Sequence, residues 1–547
     1  MDSKISEKKK VLFFSPFAGI WPHALAELNL AKVIDSKDWE CEFLGCKGFI
    51  GTFCTVMESE GMKIISNKVQ KDAVCQKCIQ NSSLIRRKSE FDYKFLDDFY
   101  FNSRDESTLP QFESAVPITE LLKFKFQNFE VGKIAIYETL IKFKKNNLLF
   151  DARERAYYLQ SIENCVKTVI AADRFFKCNS FDKLVCYSPQ YGVPGIFSEV
   201  AKSIGLQTIF IEGSSSNIER YTRLRIWNWQ IHGLNPPGLQ ALEEFDEYKM
   251  GFWTVLRVLR QIREIRSAKS FSVYSSRSTG KKTHEYFKLE KNRKLLLVCM
   301  SSYDEVFSGM TLGKIEDHRY YGEVFLDQIA WLNSLKAWAE LRVDVEVIVR
   351  PHPREIANKR ESEVAGHVKE WKKVFENLPK NMHIDWPEFS YSLYDHFKSV
   401  NVVTTGWSFS GIEAMLRGIP LVTYDSKIAT YPKSIHLTGE SEAEYFRNLD
   451  LALSGGKSTR NAIRALRWLA FLSDRGTFKL GGLTEDRFFL VKNKWLQKVF
   501  RSKYFIANYT RILRFVELGQ KPNRRDRKRV INILSEKSSS LFKSARK

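Results

Sequence analysis

The sequence predicts an α/β protein with two doubly wound domains, each a mainly parallel sheet between layers of helices. Strands and helices alternate in two stretches of the chain, from residue 11 to 211 and from residue 294 to 424. The chain has 547 residues, too many for one hydrophobic core. Its composition, 44% hydrophobic and 27% charged, is typical of a folded protein and argues against disorder.

The first domain is expected to span residues 1–285. A turn at the prolines of S-P-F-A-G-I-W-P-H precedes a helix that begins at His23. Residues 84–180 are predicted as a mainly helical insertion, and the polar, Ser-rich stretch 265–292 as the connection to the second domain. The predicted strands of the first domain are 11–14, 40–44, 183–187 and 207–211.

The second domain is expected to span residues 290–450 as a parallel sheet with intervening helices. Residues 451–547 are predicted to form a basic helical tail, because basic residues separate apolar ones at helical spacing. No short internal repeat is recognisable. The predicted strands of the second domain are 294–300, 345–349, 383–385, 400–404 and 421–424.

Most of the net charge of +22 lies in the predicted tail. Residues 451–547 contain 24 Lys and Arg against 6 Asp and Glu, an excess of 18, which includes R-R-D-R-K-R at 524–529. Such a segment suits anionic lipid headgroups, an acidic or lipid-linked glycan, or nucleic acid. The interleaved aromatic and aliphatic residues favour a membrane surface and make nucleic acid the weaker candidate, while a solvated surface is the plain alternative.

The sequence predicts a cytoplasmic protein that lies peripherally on the inner face of the membrane. No apolar run approaches the roughly 18–20 residues of a membrane-spanning helix, and the N-terminal apolar run is too broken for a signal peptide. Nine cysteines, an odd number, favour a reducing compartment. Cys46, Cys54, Cys75 and Cys78 form a loose cluster whose spacing is a weak zinc signal, so reduced thiols are the favoured interpretation.

Three polar segments follow predicted strands of the second domain. M-S-S-Y-D-E places Ser301 and Ser302 directly after the first strand, and V-I-V-R-P-H-P places Arg350 and His352 after another. The hydroxyls suit a phosphate, and two prolines fix a cationic pair that would stabilise a departing phosphate. The structural alternatives are an ordinary helix cap and an X-Pro loop.

The third segment is G-W-S-F-S-G-I-E-A-M-L-R-G-I-P, residues 406–420. It predicts a turn and then a helix start with Ser408 and Ser410 at its N-terminus, where a phosphate would bind. Gly411 permits close backbone approach, and Glu413 would accept hydrogen bonds from ribose hydroxyls. A capped helix with a glycine stop is the structural alternative. Together the three segments predict a site for a nucleotide-activated group, with no cofactor and no catalytic metal.

Two residues of the first domain are candidates for a general base. His23 lies at a helix start, and the unperturbed pKa of histidine is near neutrality. Glu212 lies in E-G-S-S-S-N after a predicted strand. A packed or capping histidine is the alternative for His23.

The motifs of the second domain, with S-L-Y-D at 392–395, resemble the capsule polysaccharide biosynthesis family, bacterial GT-B glycosyltransferases related to the Kdo transferases of capsule assembly. The resemblance is strongest over 295–425 and only architectural before residue 285. The His-Pro element also resembles that of bacterial sialyltransferases, in which the histidine contacts the phosphate of a CMP-sugar. The resemblance implies a GT-B fold, with two Rossmann-like domains facing a cleft.

Carried over to this chain, the resemblance implies that His352 contacts the donor phosphate, that Ser408 and Ser410 line the same site, and that Glu413 holds the ribose. I-E-G at 211–213 partly matches the sialyltransferase element that carries the base, with Ile211 in place of its first acid, which makes Glu212 the corresponding carboxylate.

The implied function is transfer of a sugar from a nucleotide-sugar to a growing cell-surface glycan of capsule or lipopolysaccharide type. Three alternatives remain open: a CDP-polyol phosphotransferase of teichoic-acid type, a sugar-nucleotide 2-epimerase, and a non-catalytic membrane or nucleic-acid adaptor that acts through the basic tail.

Overall fold

The computed structural model divides by internal contacts into two compact units, each described separately. Unit 1 comprises residues 1–139, 149–230 and 476–547, and unit 2 comprises residues 140–148 and 231–475. The residues that the structure describes are 7–214, 219, 222–227, 245–267, 274–313, 322–358, 362–389, 391–425, 431–480, 518, 521, 523–524, 526–537 and 541.

Unit 1 is built on a seven-stranded sheet with the order β13-β6-β5-β4-β1-β2-β3. Strands β1 to β5 pair in parallel, while β6 and β13 extend one edge antiparallel. The order reverses between β1 and β4, as in the Rossmann fold. The strands are β1 Lys9–Phe14, β2 Trp39–Gly45, β3 Asp92–Phe95, β4 Lys183–Tyr187, β5 Gln207–Gly213, β6 Arg223–Trp227 and β13 Phe478–Lys479.

The longest helix of unit 1, α7, begins with a capping box in which Asp151 and Glu154 bond each other's backbone amides. Helix α6 continues from unit 1 into the 140–148 segment of unit 2. The helices that begin in unit 1 are α1 Trp21–Ile34, α2 Thr55–Ser59, α3 Lys68–Ser89, α4 Asn102–Asp105, α5 Ile118–Leu122, α6 Val131–Lys142, α7 Ala152–Cys178, α8 Gly192–Ser203 and α18 Arg527–Leu534.

Unit 2 is built on a six-stranded, wholly parallel sheet with the order β12-β11-β10-β7-β8-β9. Counted from β7, this is the order of a Rossmann sheet, with the reversal between β7 and β10. The strands are β7 Lys294–Cys299, β8 Val345–Arg350, β9 Met382–Ile384, β10 Val402–Thr405, β11 Leu421–Thr423 and β12 Leu437–Thr438.

Helices surround this sheet, and the turn that follows α15 uses Gly418 with a left-handed φ of +80° before the chain enters β11. The helices of unit 2 are α9 Phe252–Arg266, α10 Thr283–Tyr286, α11 Asp304–Thr311, α12 Gln328–Glu340, α13 Val368–Val374, α14 Leu393–Ser399, α15 Ser410–Met415, α16 Glu442–Gly455 and α17 Thr459–Arg475.

The predicted fold class, α/β with two Rossmann-like domains, is confirmed by the two sheets. The basic helical tail is not confirmed as a separate element. Its first described part, 451–475, packs in unit 2, residues 478–479 form an edge strand of unit 1, and α18 also belongs to unit 1. The amphipathic stretch predicted over 495–517 lies outside the described residues. Among the helices that the structure describes, none is long and apolar enough to cross a bilayer.

The two units do not coincide with the predicted segments 1–285, 290–450 and 451–547. Residues 231–285 belong to unit 2, and residues 476–547 return to unit 1. The physical reason for the second change is the pairing of β13 with β6, which joins the last part of the chain to the first sheet.

A buried hydroxyl cross-links the core of unit 2. The Tyr445 hydroxyl accepts a 2.9 Å hydrogen bond from the Trp331 indole and lies 3.0 Å from the Thr404 hydroxyl of β10. All three side chains are completely buried. Helices α12 and α16 are thereby tied to the middle of the sheet.

Replacing Tyr445 by Phe is expected to lower the free energy of unfolding by about 1–3 kcal/mol, since two buried polar groups lose their partner. Urea unfolding of the variant and of a Tyr286→Phe control measures this. Tyr286 is 39% exposed, so its change should stay within about 0.5 kcal/mol. Equal stabilities for the two variants would contradict the cross-linking role of Tyr445.

Candidate functional site

The three polar segments of unit 2 follow three neighbouring strands at the same edge of the sheet. Strand β7 pairs with β10 on one side, where Cys299 is opposite Thr405, and with β8 on the other, where Cys299 is opposite Arg350. The reversal of strand order lies between β7 and β10. Ligands of doubly wound sheets bind at the carboxyl ends of the strands beside this reversal, so the segments occupy the expected place.

Ser301 connects two of the segments. Its hydroxyl accepts a 3.1 Å hydrogen bond from the backbone amide of Trp407, across the reversal. Its own backbone amide and carbonyl are both hydrogen-bonded to the Gln328 side chain. With 1% exposure, Ser301 holds the edge together, while its neighbour Ser302 is 5% exposed. Ser301, predicted as a phosphate ligand, therefore also positions the loops on both sides of the reversal.

The side chain of Arg350 is paired with a buried carboxylate of the same unit. Its guanidinium is ion-paired to Asp385, and the same carboxylate oxygen lies 2.8 Å from His396 Nε2. The side chains of Asp385 and His396 are fully buried. The buried carboxylate offsets the charge of Arg350. Residues 350 and 352 therefore do not form the free cationic pair that the sequence predicts.

His352 is neutral rather than cationic in this environment. Burial lowers the pKa of its imidazole to about 4, against the opposing effect of nearby carboxylates. Nδ1 accepts a 3.3 Å hydrogen bond from the backbone amide of Arg354, and the ring meets Tyr274 edge-on at 5.9 Å between centroids. A neutral imidazole with Nδ1 as acceptor carries its proton on Nε2, which is then a hydrogen-bond donor to a ligand.

Two carboxylates that the sequence analysis did not select hold the His-Pro loop against the segment after β7. Asp304 is ion-paired with Arg354 at 2.8 Å, and Glu355 accepts a 2.8 Å hydrogen bond from the Tyr303 amide. Glu355 also lies 2.9 Å from His367. Asp304 and Arg354 are 50 residues apart and Tyr303 and Glu355 are 52 apart, so local sequence pattern does not reveal these two contacts.

The turn after β10 is organised by its own hydroxyls. Ser410 donates a 2.8 Å hydrogen bond to the Ser408 hydroxyl, and Tyr431 donates one of 2.6 Å to the Ser408 carbonyl. A Cβ on Gly411 would lie 2.9 Å from Leu421 and 3.0 Å from the Tyr431 hydroxyl. The glycine therefore serves packing against β11. Helix α15 has only six residues, so its dipole adds little to anion binding.

Glu413, in the first turn of α15, has a carboxyl whose pKa is shifted by its surroundings. Burial raises the pKa of its carboxyl to about 7, and a 3.2 Å hydrogen bond from the Tyr394 hydroxyl partly opposes this rise. The carboxyl therefore changes its protonation near neutral pH, and its ionised form is the better acceptor for ribose hydroxyls.

The segment predicted as a connection between domains is docked on unit 2 instead. Asp395, from S-L-Y-D, accepts hydrogen bonds from the Thr279 amide at 2.8 Å, the Gly280 amide at 3.2 Å and Lys398 at 2.7 Å. These partners hold the pKa of its carboxyl well below the usual range, even though burial opposes them. Asp395, the acid of S-L-Y-D, thus has a structural role, which is to hold residues 278–280 in place.

In unit 1, His23 and Glu212 lie at the carboxyl edge of the first sheet. His23, in the first turn of α1, stacks on Tyr187 at the end of β4 with 4.3 Å between ring centroids. Glu212, in β5, is ion-paired with Arg225 and accepts a 2.7 Å hydrogen bond from Gln190. Both of its carboxylate oxygens are therefore engaged.

The four clustered cysteines line one small cavity of ≈ 20 Å³. Burial raises the pKa of the Cys54 thiol to about 12 and that of the Cys78 thiol to about 11, so both thiols are protonated in this structure. Across the described ranges, no group of three or more His, Cys, Asp or Glu is arranged to hold a metal ion. The zinc interpretation gains no support from this arrangement.

No protein-family model and no curated protein matches the chain. Among solved structures, the β-Kdo 2,4 transferase of KpsC from Thermosulfurimonas dismutans is 15% identical over 52% of this chain and 79% of its own, with a TM-score of 0.32. UDP-GlcNAc 2-epimerase from Neisseria meningitidis, bound to UDP-GlcNAc, is 9% identical over 85% and 97%, with a TM-score of 0.27. The spinosyn rhamnosyltransferase SpnG is 10% identical over 85% and 96%, with a TM-score of 0.24. At these scores the likenesses assign no function.

The raised pKa of Glu413 predicts a loss of stability with rising pH. The native carboxyl keeps its proton up to pH about 7, whereas the unfolded one ionises near its ordinary value of 4.5. Between these values the unfolded state is progressively favoured, by about 1–3 kcal/mol in total. Urea unfolding at pH 5 and at pH 8 should show this loss in the native chain and not in Glu413→Gln. A Glu290→Gln control at an exposed carboxyl should behave as the native chain does, and a Glu413→Gln profile identical to both would contradict the assignment.

Proposed function

We propose that this protein is a metal-independent glycosyltransferase that moves a sugar from a nucleotide-sugar to a growing cell-surface glycan, with the nucleotide bound by unit 2. The observation that carries the proposal is the meeting of three polar segments at the carboxyl ends of β7, β8 and β10, where the strand order reverses. The resemblance of these segments to the capsule polysaccharide biosynthesis family gives the class of donor and acceptor.

In the proposed mechanism His352 donates its Nε2 proton as a hydrogen bond to the donor phosphate. A hydrogen-bond donor held in this position stabilises the charge that develops as the nucleotide leaves. Ser408 and Ser410 contribute hydroxyls to the same phosphate, and ionised Glu413 accepts from the ribose. Arg350, paired to Asp385, acts indirectly by fixing the start of the His-Pro loop.

The acceptor hydroxyl is proposed to lose its proton to a base of unit 1, for which the candidates are His23 and Glu212. We infer that Glu212 is the weaker candidate, because Arg225 and Gln190 already hold both oxygens of its carboxylate. The acceptor is proposed to be a glycan or a lipid-linked glycan, and residues 451–547 are proposed to bring the protein to the inner membrane surface by their basic charge.

A thermal-shift panel of CMP, UDP and GDP tests nucleotide binding. One of them, at 100 times its Kd, should stabilise the fold by about 2.7 kcal/mol. The same nucleotide should give a smaller shift in His352→Ala, and turnover of the corresponding nucleotide-sugar should fall about 10²–10³-fold, because one donor to the leaving group is lost.

His383→Ala is the matched control, since His383 lies on β9, bonded to Glu346. It should retain both the shift and the turnover. Native turnover in His352→Ala would remove this residue from the mechanism, and no shift with any nucleotide would contradict the proposed function. A phosphodiester product, or an epimerised sugar nucleotide formed without acceptor, would instead identify a polyol phosphotransferase or an epimerase.

His23→Ala is expected to lower kcat about 10²–10⁴-fold with a small change in the donor KM, since general-base catalysis contributes on that order. Glu212→Gln should retain most of the turnover and lower thermal stability, because it breaks the ion pair with Arg225. The opposite ranking of the two variants would move the base to Glu212.

A further inference from the structure

Helix α9, Phe252–Arg266, presents an exposed aromatic and aliphatic ridge. Phe252 is 68% exposed, Trp253 78%, Leu256 44% and Leu259 47%. Residues at this spacing share one side of a helix. Large apolar side chains scattered singly on a surface need no explanation, whereas four on one helix face mark an interaction surface.

The opposite face of α9 packs against unit 2, which fixes the position of the exposed ridge. Thr254, Val258 and Ile262 are buried. Asp474 of α17 accepts a 2.7 Å hydrogen bond from the Thr254 hydroxyl and forms a 2.6 Å ion pair with Arg257. A helix anchored in this way keeps its exposed side chains in place without ordering upon binding.

Basic side chains continue the same outward side toward the C-terminal end of the helix. Arg260, Arg263 and Arg266 are exposed, and Arg260 is ion-paired with Glu264 at 3.1 Å. At a rise of about 1.5 Å per residue, Phe252 and Arg260 are roughly 12 Å apart along the helix axis. The apolar side chains and the arginines therefore occupy successive segments along the same side of α9.

We propose that α9 docks unit 2 on an anionic lipid bilayer, with the ridge of Phe252, Trp253, Leu256 and Leu259 in the interface and the arginines at the level of the lipid phosphates. Aromatic rings and aliphatic side chains partition into the boundary between headgroups and acyl chains, while arginine reaches phosphate. Charge complementarity selects this occupant, because Arg263 and Arg266 are exposed beside the ridge. Lipid phosphates would supply these two arginines with counter-charge, which an uncharged apolar partner would not. The proposal adds a second membrane contact to the one proposed for residues 451–547, and it does not depend on the transferase activity or on that segment.

Co-sedimentation of the full chain with vesicles tests the proposal. The native protein should bind phosphatidylglycerol-containing vesicles more strongly than pure phosphatidylcholine vesicles, and less strongly as salt rises. The double variant Phe252→Ser with Trp253→Ser should show an about tenfold lower partition onto the anionic vesicles, because the inserted apolar area is lost. Arg260→Gln with Arg263→Gln should also lower the partition, and should reduce its dependence on salt.

The matched control is Leu341→Ser with Val343→Ser. These side chains are 84% and 82% exposed and follow α12 in the same unit. The control should bind as the native chain does, and circular dichroism should show all variants folded. Unchanged binding in the Phe252 and Trp253 variant, or an equal loss in the control, would overturn the proposal. So would a native protein that ignores vesicles but forms an oligomer which this variant disrupts, since the occupant would then be a second copy of the chain.

Discussion

The central position of β7 in the second sheet is the constraint on which the candidate site depends. Because β7 pairs in parallel with β10 on one side and β8 on the other, the segments that follow all three strands emerge at one edge. The hydrogen bond from Trp407 to Ser301 then closes the gap across the reversal of strand order. A chain with the same motifs but another strand order would scatter them, so topology rather than motif content creates the site.

Buried carboxylates set the electrostatic character of this edge. Asp385 offsets the charge of Arg350, and Asp304 that of Arg354. Breaking such pairs leaves an uncompensated buried charge, which costs far more than the pairs contribute when intact. Because these arginines are paired, the group left to contact a ligand is a neutral hydrogen-bond donor, His352. The residue types alone would suggest free cations at this edge. The edge therefore offers a ligand directed hydrogen bonds, while the charges of Arg350 and Arg354 are paired with buried carboxylates.

The sequence was sufficient for the central strands of both sheets and insufficient for the edge strands and the contacts between side chains. Strands such as 183–187 and 294–299 are continuous apolar runs, which local pattern reveals. Edge strands such as Asp92–Phe95 and Phe478–Lys479 are short or contain charge, so no pattern marks them. The polar ends of three strands were readable because small hydroxyl residues and prolines follow apolar runs. Their partners were not, since Asp385 is 35 residues from Arg350 and only the folded sheet brings the two together.

The distribution of charge shows the same difference between composition and placement. Residues 451–547 contain most of the excess positive charge, yet within them Arg467 bonds backbone carbonyls of unit 2 and Arg529 bonds the Thr477 carbonyl of unit 1. The hydrogen bonds of these two arginines stabilise the fold, so their presence in a basic segment does not by itself indicate a partner. Exposed arginines beside exposed aromatic rings, as on α9, combine the two forces that hold a protein on a lipid surface. Surface chemistry at one helix is therefore a more specific indication of a partner than the net charge of a long segment.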